Sequence, residues 1–161
     1  MDSLQRPVTT GVSFGLVSGV ITTLGLMSGL YGGTHSVKVV VGGVITIAVA
    51  DAMSDALGIH VSEESRNVNT PGQIWMATLM TFATKFLVAL SFLVPLLMLE
   101  LSVAIIVSIA WGIGIISLLS YRLARRQGIS PGIAIAEHIS LTIAVVVLTG
   151  FLGEWVGAEF Q

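Results

Sequence analysis

The stretch that decides the fold runs from Val39 to Arg66, VVVGGVITIAVADAMSDALGIHVSEESR. It opens as an apolar run long enough to enter a bilayer, places Asp51 and Asp55 inside the hydrophobic span and ends in charged residues. Acidic side chains inside a membrane helix are costly and rare, so they are candidates for a functional site by default. We therefore interpret the rest of the chain as a helical bundle that makes two buried carboxylates tolerable.

The composition of the 161-residue chain agrees with this interpretation. Hydrophobic residues make up 54% and charged residues 10% of the chain, whereas a soluble domain carries about 25% charged residues. The sequence thus predicts a multi-pass membrane protein. A net charge of −2 with scattered basic residues argues against a nucleic-acid partner. Because the chain has no cysteine, disulfides and thiolate metal sites are excluded.

Five apolar stretches each reach the roughly 20 residues that a membrane-spanning helix needs. They cover residues 9–31, 37–61, 73–97, 102–123 and 131–156. In lipid the backbone must satisfy its own hydrogen bonds, and uninterrupted runs of this length favour helices over barrel strands. The predicted fold is all-α, with five transmembrane helices in a single membrane domain, residues 1–161.

The basic residues predict the orientation of these helices. With a cytoplasmic N-terminus, the arginines all fall on the cytoplasmic side: Arg6, Arg66, Arg122, Arg125 and Arg126. Lys38 is then the basic residue on the outside, and Lys85 lies within the membrane. Since basic residues concentrate in cytoplasmic loops, we expect an N-in, C-out arrangement.

Polar side chains on several predicted helices are expected at a similar depth. With a rise of 1.5 Å per residue, Asp55 lies roughly 10 Å and Asp51 roughly 16 Å from the cytoplasmic end of the second helix. The same arithmetic places Ser18 roughly 14 Å and Lys85 roughly 18 Å along the first and third helices. Asp51 and Asp55 are four residues apart and share one helix face. The depths therefore predict one polar cavity in the cytoplasmic half of the membrane.

Glu137 and His138 extend this predicted cavity to the fifth helix, where they lie roughly 10 Å from its cytoplasmic end. Carboxylate, imidazole and hydroxyl ligands without thiolate suit divalent cations such as Mn²⁺ and Fe²⁺. The candidate metal ligands are therefore Asp55, Asp51, Ser18, Glu137 and His138.

Lys85 needs a carboxylate partner at its own depth, because an unpaired lysine near mid-membrane is costly. Asp51 is nearer than Asp55 in estimated depth, so we expect an Asp51–Lys85 ion pair that gates the site. Asp55 is then expected to be the freer carboxylate. Structural interpretations stay open: the ion pair could serve stability alone, and His138 could cap a helix or reach towards the interface. Glu63 is predicted to belong to a solvated helix end.

Two segments carry a resemblance to a known family. Phe14–Leu30, FGLVSGVITTLGLMSGL, resembles the first membrane helix of the vacuolar iron transporter family, and Ala50–Ser65, ADAMSDALGIHVSEES, resembles its second helix. Residues 82–97, FATKFLVALSFLVPLL, are compatible with the third. The resemblance implies a homodimeric exporter of Fe²⁺ or Mn²⁺ from the cytosol, driven by proton antiport. Its path would form where the first two helices of both protomers meet, and the glycines at 15 and 19 favour close packing there.

The chain also differs from the family pattern. Ser18 stands where the first helix of the family carries Asp, and Asp55 stands where its second helix carries Met. Residues 60–72 are too few for the Glu-rich cytoplasmic helices of the family, and Lys85 is not part of its pattern.

Two functions are consistent with these features. One is a proton-coupled transporter of Mn²⁺ or Fe²⁺, with metal and protons as its partners. The other is a membrane protein that moves no metal, whose charges form a packed network with a structural or regulatory role. The sequence shows no nucleophile–base set, phosphate loop or His-Glu zinc motif, so we expect neither an enzyme nor a bound cofactor.

Overall fold

The regular secondary structure of this chain is helical throughout the residues that the structure, a computed structural model, describes, namely 5–160. The helices are α1 (Gln5–Thr34), α2 (Val37–Ser65), α3 (Pro71–Ser91), α4 (Leu93–Met98), α5 (Leu101–Gln127) and α6 (Pro131–Glu159). The predicted single domain also takes in residues 1–4 and 161, which lie outside the described residues.

Five helical segments are long and apolar enough to cross a membrane, with Pro71–Met98 counted as one segment. This confirms the all-helical prediction with five candidate spans. Each segment contains its predicted counterpart and extends beyond it, because polar residues at the ends of the apolar runs continue the helix. The large side chains exposed on the outside of the bundle are mostly aliphatic, including Leu57, Leu87, Ile106 and Val147.

Local signals explain the ends of two helices. The start of α3 is a capping box: Gln73 N–H donates to the Thr70 hydroxyl oxygen, and Thr70 N–H donates to the Gln73 side chain. Pro71 occupies the first turn, where its missing N–H costs nothing. The end of α5 is Gly128, whose φ of 71° lies in the left-handed region that glycine tolerates.

The third span is broken, which the sequence analysis did not anticipate. Phe92 is a turn residue between α3 and α4, and Pro95 lies inside α4 rather than at its end. A proline ring clashes with the carbonyl four residues earlier, here that of Ser91, and lacks the N–H that would bond to it. The break therefore falls where the proline disrupts the helical hydrogen-bond ladder.

Helix α1 is the centre of the bundle and packs against α2, α3, α5 and α6. Its glycines permit this, because a Cβ on Gly11 or Gly15 would lie only 2.5 or 2.8 Å from the backbone oxygen of Ala77 or Thr81 on α3. Gly15 and Gly19 are buried in this contact. These two glycines are thus covered by α3 of the same chain, and the homodimer itself stays a prediction.

Candidate functional site

Lys85 lies at the centre of the polar cluster and is 1% exposed. Its Nζ is 2.6 Å from Asp51 Oδ2 and 2.5 Å from Asp55 Oδ2, both as ion pairs. It also donates a hydrogen bond of 2.8 Å to the Ser18 hydroxyl oxygen. Ser18 in turn donates to Asp55 Oδ2 at 2.5 Å. Three helices, α1, α2 and α3, thus contribute to one closed network.

The sequence builds this network through helix spacing. Asp51 and Asp55 lie one turn apart on α2, so both carboxylates point to the same neighbour. On α1, Gly15 and Gly19 have no side chain to hold α3 away, and a Cβ on Gly19 would lie 3.4 Å from the Lys85 Cα. This close approach brings the lysine within reach of Ser18.

The charges of the cluster do not cancel. With all three groups ionised, two carboxylates face one ammonium, and the net charge is −1. The lysine side chain is 2% exposed, whereas those of Asp51 and Asp55 are 30% and 21% exposed. The excess negative charge therefore lies on the side of the network that is open to the outside of the chain.

The expected division of roles between the two aspartates is wrong. Lys85 lies beside Asp51, as its depth suggested, but it is equally close to Asp55. The contact with Asp55 has hydrogen-bond geometry and is reinforced by Ser18. Asp55 is therefore the more fully engaged carboxylate, because α2 presents both aspartates to the same ammonium.

Glu137 and His138 do not join the cluster, contrary to prediction. Helix α6 packs on α1 and α5, so their matching depth does not bring them to the α2 carboxylates. Glu137 is exposed. The ring nitrogen Nδ1 of His138 lies 2.7 Å from the hydroxyl oxygen of Ser120 on α5. His138 thus forms a contact between α6 and α5 and does not join the aspartates.

Within residues 5–160, no group of three or more His, Cys, Asp or Glu side chains is placed to hold a metal ion. The oxygen ligands that one chain brings together are the carboxylates of Asp51 and Asp55 and the hydroxyl of Ser18. In the observed arrangement the Lys85 ammonium takes the position between them that a cation would occupy.

An open cavity of about 700 Å³ leads to this cluster between α1, α2 and α6. Asp51 and Thr22 lie at its deep end, and the rest of its wall is largely apolar and rich in small residues of α1, among them Gly25 and Gly29. Because Thr34 lines the other end, the cavity extends from the C-terminal end of α1 to the level of Asp51. It offers access to the cluster at Asp51.

Glu63 is a buried residue that the sequence analysis assigned to a solvated helix end. It is 7% exposed, and its carboxylate accepts a 2.5 Å hydrogen bond from Asn69 Nδ2 and a 3.4 Å contact from Arg66. The sequence signal for its burial is Asn69. The connection between α2 and α3 is so short that Asn69 must lie close to the end of α2. This clamp holds the turn between α2 and α3, which positions the partners of the Lys85 network.

No protein-family model, curated protein or solved structure significantly matches this chain.

Proposed function

We propose that this chain is a membrane transporter of divalent metal ions, Mn²⁺ or Fe²⁺, that exports them from the cytosol in exchange for protons. The observation that carries the proposal is the buried Lys85 ammonium held between Asp51, Asp55 and Ser18. Ionisable groups inside a membrane bundle commonly mark ion pathways and proton relays. The proposed orientation is N-in, C-out, supported by the distribution of the arginines.

The electrostatics require that Lys85 and a metal ion exclude each other. At an effective dielectric constant near 20, a divalent ion about 4 Å from an ammonium is repelled by roughly 8 kcal/mol. A metal ion can therefore bind to the aspartates only when Lys85 has moved away or lost its proton. Where the lysine has lost its proton on metal binding, its reprotonation displaces the metal, and this route links metal release to proton uptake.

Oxygen ligands favour the hard and borderline ions of this class. One chain provides two carboxylates and one hydroxyl, which is fewer than the six ligands of an octahedral site. We therefore propose that waters or a second copy of the chain complete the coordination. The open side of the cluster at Asp51 leaves room for them.

One observation favours the alternative of a membrane protein that moves no metal. The network is closed, since Lys85 contacts both carboxylates and the serine links the lysine to Asp55. A network of this kind can fix the positions of α1, α2 and α3 without any cargo. The two functions differ in whether the lysine ever leaves the aspartates.

The deciding experiment measures Mn²⁺ and Fe²⁺ entry into liposomes that contain the purified protein and a metal-quenched fluorophore. We expect entry to exceed that of protein-free liposomes and to rise with an opposing proton gradient. Asp55→Asn should reduce the rate at least about tenfold, because it removes a ligand. Ser54→Ala is the matched control, since Ser54 is the exposed neighbour of Asp55 on α2.

Wild-type rates equal to those of empty liposomes, with a folded protein, would support the structural alternative. Rates that are unchanged in Asp55→Asn would place the metal path elsewhere in the bundle. Rates indifferent to the proton gradient would remove proton exchange from the proposal.

A further inference from the structure

A second polar site lies far from the lysine network, between the first turns of α1 and the last turns of α5. A groove of about 220 Å³ separates the two helices there. Arg122 and Arg126, one turn apart on α5, line it from one side, and Ser13 lines it from α1. Neither the transport proposal nor the fold requires two arginines at this place.

The arginines of the groove have no acidic partner. The ion pairs within residues 5–160 involve Arg66 and Lys85 as the basic residues, so the guanidinium groups of Arg122 and Arg126 are unpaired in the described chain. The Ser13 hydroxyl likewise makes no hydrogen bond there, unlike Thr9 and Thr10, which donate to backbone carbonyls of the preceding turn. The groove thus presents two positive charges and one free hydroxyl donor.

Apart from Thr9, the remaining residues that line the groove are aliphatic. Val8, Val12 and Leu16 follow one another along α1, and Leu119 and Leu123 face them from α5. Since α1 begins at Gln5 and α5 ends at Gln127, Leu16 and Leu119 lie roughly 16 Å and 12 Å from that end of the bundle. The groove therefore runs from a positively charged mouth to an apolar floor at the level of lipid acyl chains.

We propose that this groove binds an anionic phospholipid from the leaflet on the side of the N-terminus. The phosphate would accept bidentate hydrogen bonds from the arginines, whose planar guanidinium groups match its geometry. One acyl chain would lie along the aliphatic walls. Basic pockets between membrane helices recognise lipid headgroups in this way. A soluble acidic protein could reach the arginines but not the apolar floor.

This proposal rests on the chain spanning a membrane and not on metal transport. A plainer account treats the arginines as interfacial residues that favour the C-terminal end of a helix. Arg125 separates the two accounts, because it is an exposed arginine of the same last turn that does not line the groove. An interfacial role makes the three arginines equivalent, whereas a lipid site makes Arg122 and Arg126 distinct.

The test uses the full-length protein, stripped of lipid in mild detergent and titrated with dioleoyl phosphatidylglycerol, with binding followed by native mass spectrometry. We expect tighter binding than of dioleoyl phosphatidylcholine, which has the same acyl chains. A basic residue near a lipid surface contributes about fivefold in affinity, so Arg122→Gln with Arg126→Gln should weaken binding about 25-fold. Arg125→Gln should leave it unchanged.

A second variant, Val12→Trp, keeps every charge and fills the groove; it should also lose phosphatidylglycerol binding. Inorganic phosphate should fail to displace the lipid, because it cannot use the apolar floor. A weakening of about fivefold in Arg125→Gln, the loss expected for each arginine if all three are equivalent, would overturn the proposal in favour of interfacial arginines. Full displacement by phosphate, or unaltered binding in Val12→Trp, would overturn it in favour of a surface anion site.

Discussion

At the scale of single residues, the Lys85 ammonium pairs with two carboxylates. Substitutions at the three positions should therefore differ in their effect on stability. Removing either aspartate leaves Lys85 with one partner, whereas removing the lysine leaves two partly exposed carboxylates, one helical turn apart, without a counter-charge. A lone buried charge costs about 3–5 kcal/mol when its partner is deleted. The three positions are therefore not equivalent, although all belong to one network.

We predict the order of stabilities among variants of Asp51, Asp55 and Lys85. Asp51→Asn and Asp55→Asn alone should each cost about 1 kcal/mol, of the size of one lost hydrogen bond. Lys85→Met, and the double replacement of both aspartates, should each cost about 3–5 kcal/mol. The triple variant that neutralises all three should recover most of the loss. Thermal unfolding of the detergent-solubilised protein measures this order.

Lys38→Met is the control for the lysine, because Lys38 is exposed near the start of α2 and makes no ion pair with the described residues. It should leave the unfolding temperature unchanged. Simple additivity of the single effects, with no recovery in the triple variant, would show that the network does not exist in solution.

The sequence predicts which residues belong to this network better than it predicts which of them contact one another. Opposite charges at one depth in lipid must meet, so Lys85 and the aspartates are predictable from hydropathy and helical rise alone. The position of a side chain around the helix axis, and the identity of the neighbouring helix, depend on packing. For that reason His138 has the expected depth but contacts Ser120 on α5 and not the aspartates of α2.

At the scale of helices, the glycines of α1 set its distance from α3, and this distance brings Lys85 to Ser18. A Cβ at Gly15 would lie 2.8 Å from the Thr81 backbone oxygen and 3.0 Å from the Thr84 Cβ. Gly15→Ala should therefore push the two helices apart. We expect a loss of about 1–3 kcal/mol, the usual cost of overpacking, and a reduced transport rate.

Gly114→Ala is the matched control on α5, where an added Cβ meets no atom within 4 Å. It should be neutral or stabilising by up to about 1 kcal/mol, because alanine has the higher helix propensity. Unfolding temperatures of the two variants give the comparison. If Gly15→Ala proves as harmless as Gly114→Ala, the approach of α1 to α3 does not depend on the glycine.

The break between α3 and α4 is a feature that hydropathy does not predict. By hydropathy, residues 73–97 form one unbroken apolar run, because Phe92, Leu93 and Pro95 carry apolar side chains. The interruption comes instead from the backbone, because the proline disturbs hydrogen bonding one turn before itself. Because a proline removes the hydrogen bond to the carbonyl four residues earlier, Pro95 would have predicted a break near Ser91.

At the scale of the whole molecule, the number of spans is predictable because the length of an apolar run and the thickness of a bilayer are linked. The orientation is a separate prediction that depends on five arginines at one side. The native chain has no cysteine, so single cysteines can be introduced at Gln127 and Glu159 and labelled in intact cells. We expect Cys at 127 to be protected from impermeant reagents and Cys at 159 to react. The opposite pattern would reverse the topology and the direction of transport.

The proposed homodimer must use a surface other than the α3-covered glycines. One part of α1 that stays uncovered is the wall of the open cavity, which Ile47 and Asp51 of α2 also line. We expect native mass spectrometry in mild detergent to show a dimer that Ile47→Trp disrupts. Val49→Trp is the control on an exposed part of α2 outside the cavity. A monomer in the wild type, or equal effects of both substitutions, would contradict this interface.

The short clamped turn between α2 and α3 has a consequence for how the chain enters the membrane during synthesis. Released singly from a translocon, α2 would carry two aspartates and α3 one lysine into lipid, and each such residue at a helix centre disfavours insertion by about 2.5–3.5 kcal/mol. The Glu63–Asn69 hydrogen bond ties the end of α2 to the connection, the Thr70 capping box fixes the start of α3, and the two helices pack against each other as a hairpin. If they partition together, the charges neutralise one another before they meet hydrocarbon. In a bilayer, the turn would thus lower the cost of inserting Lys85, independently of what the finished protein carries.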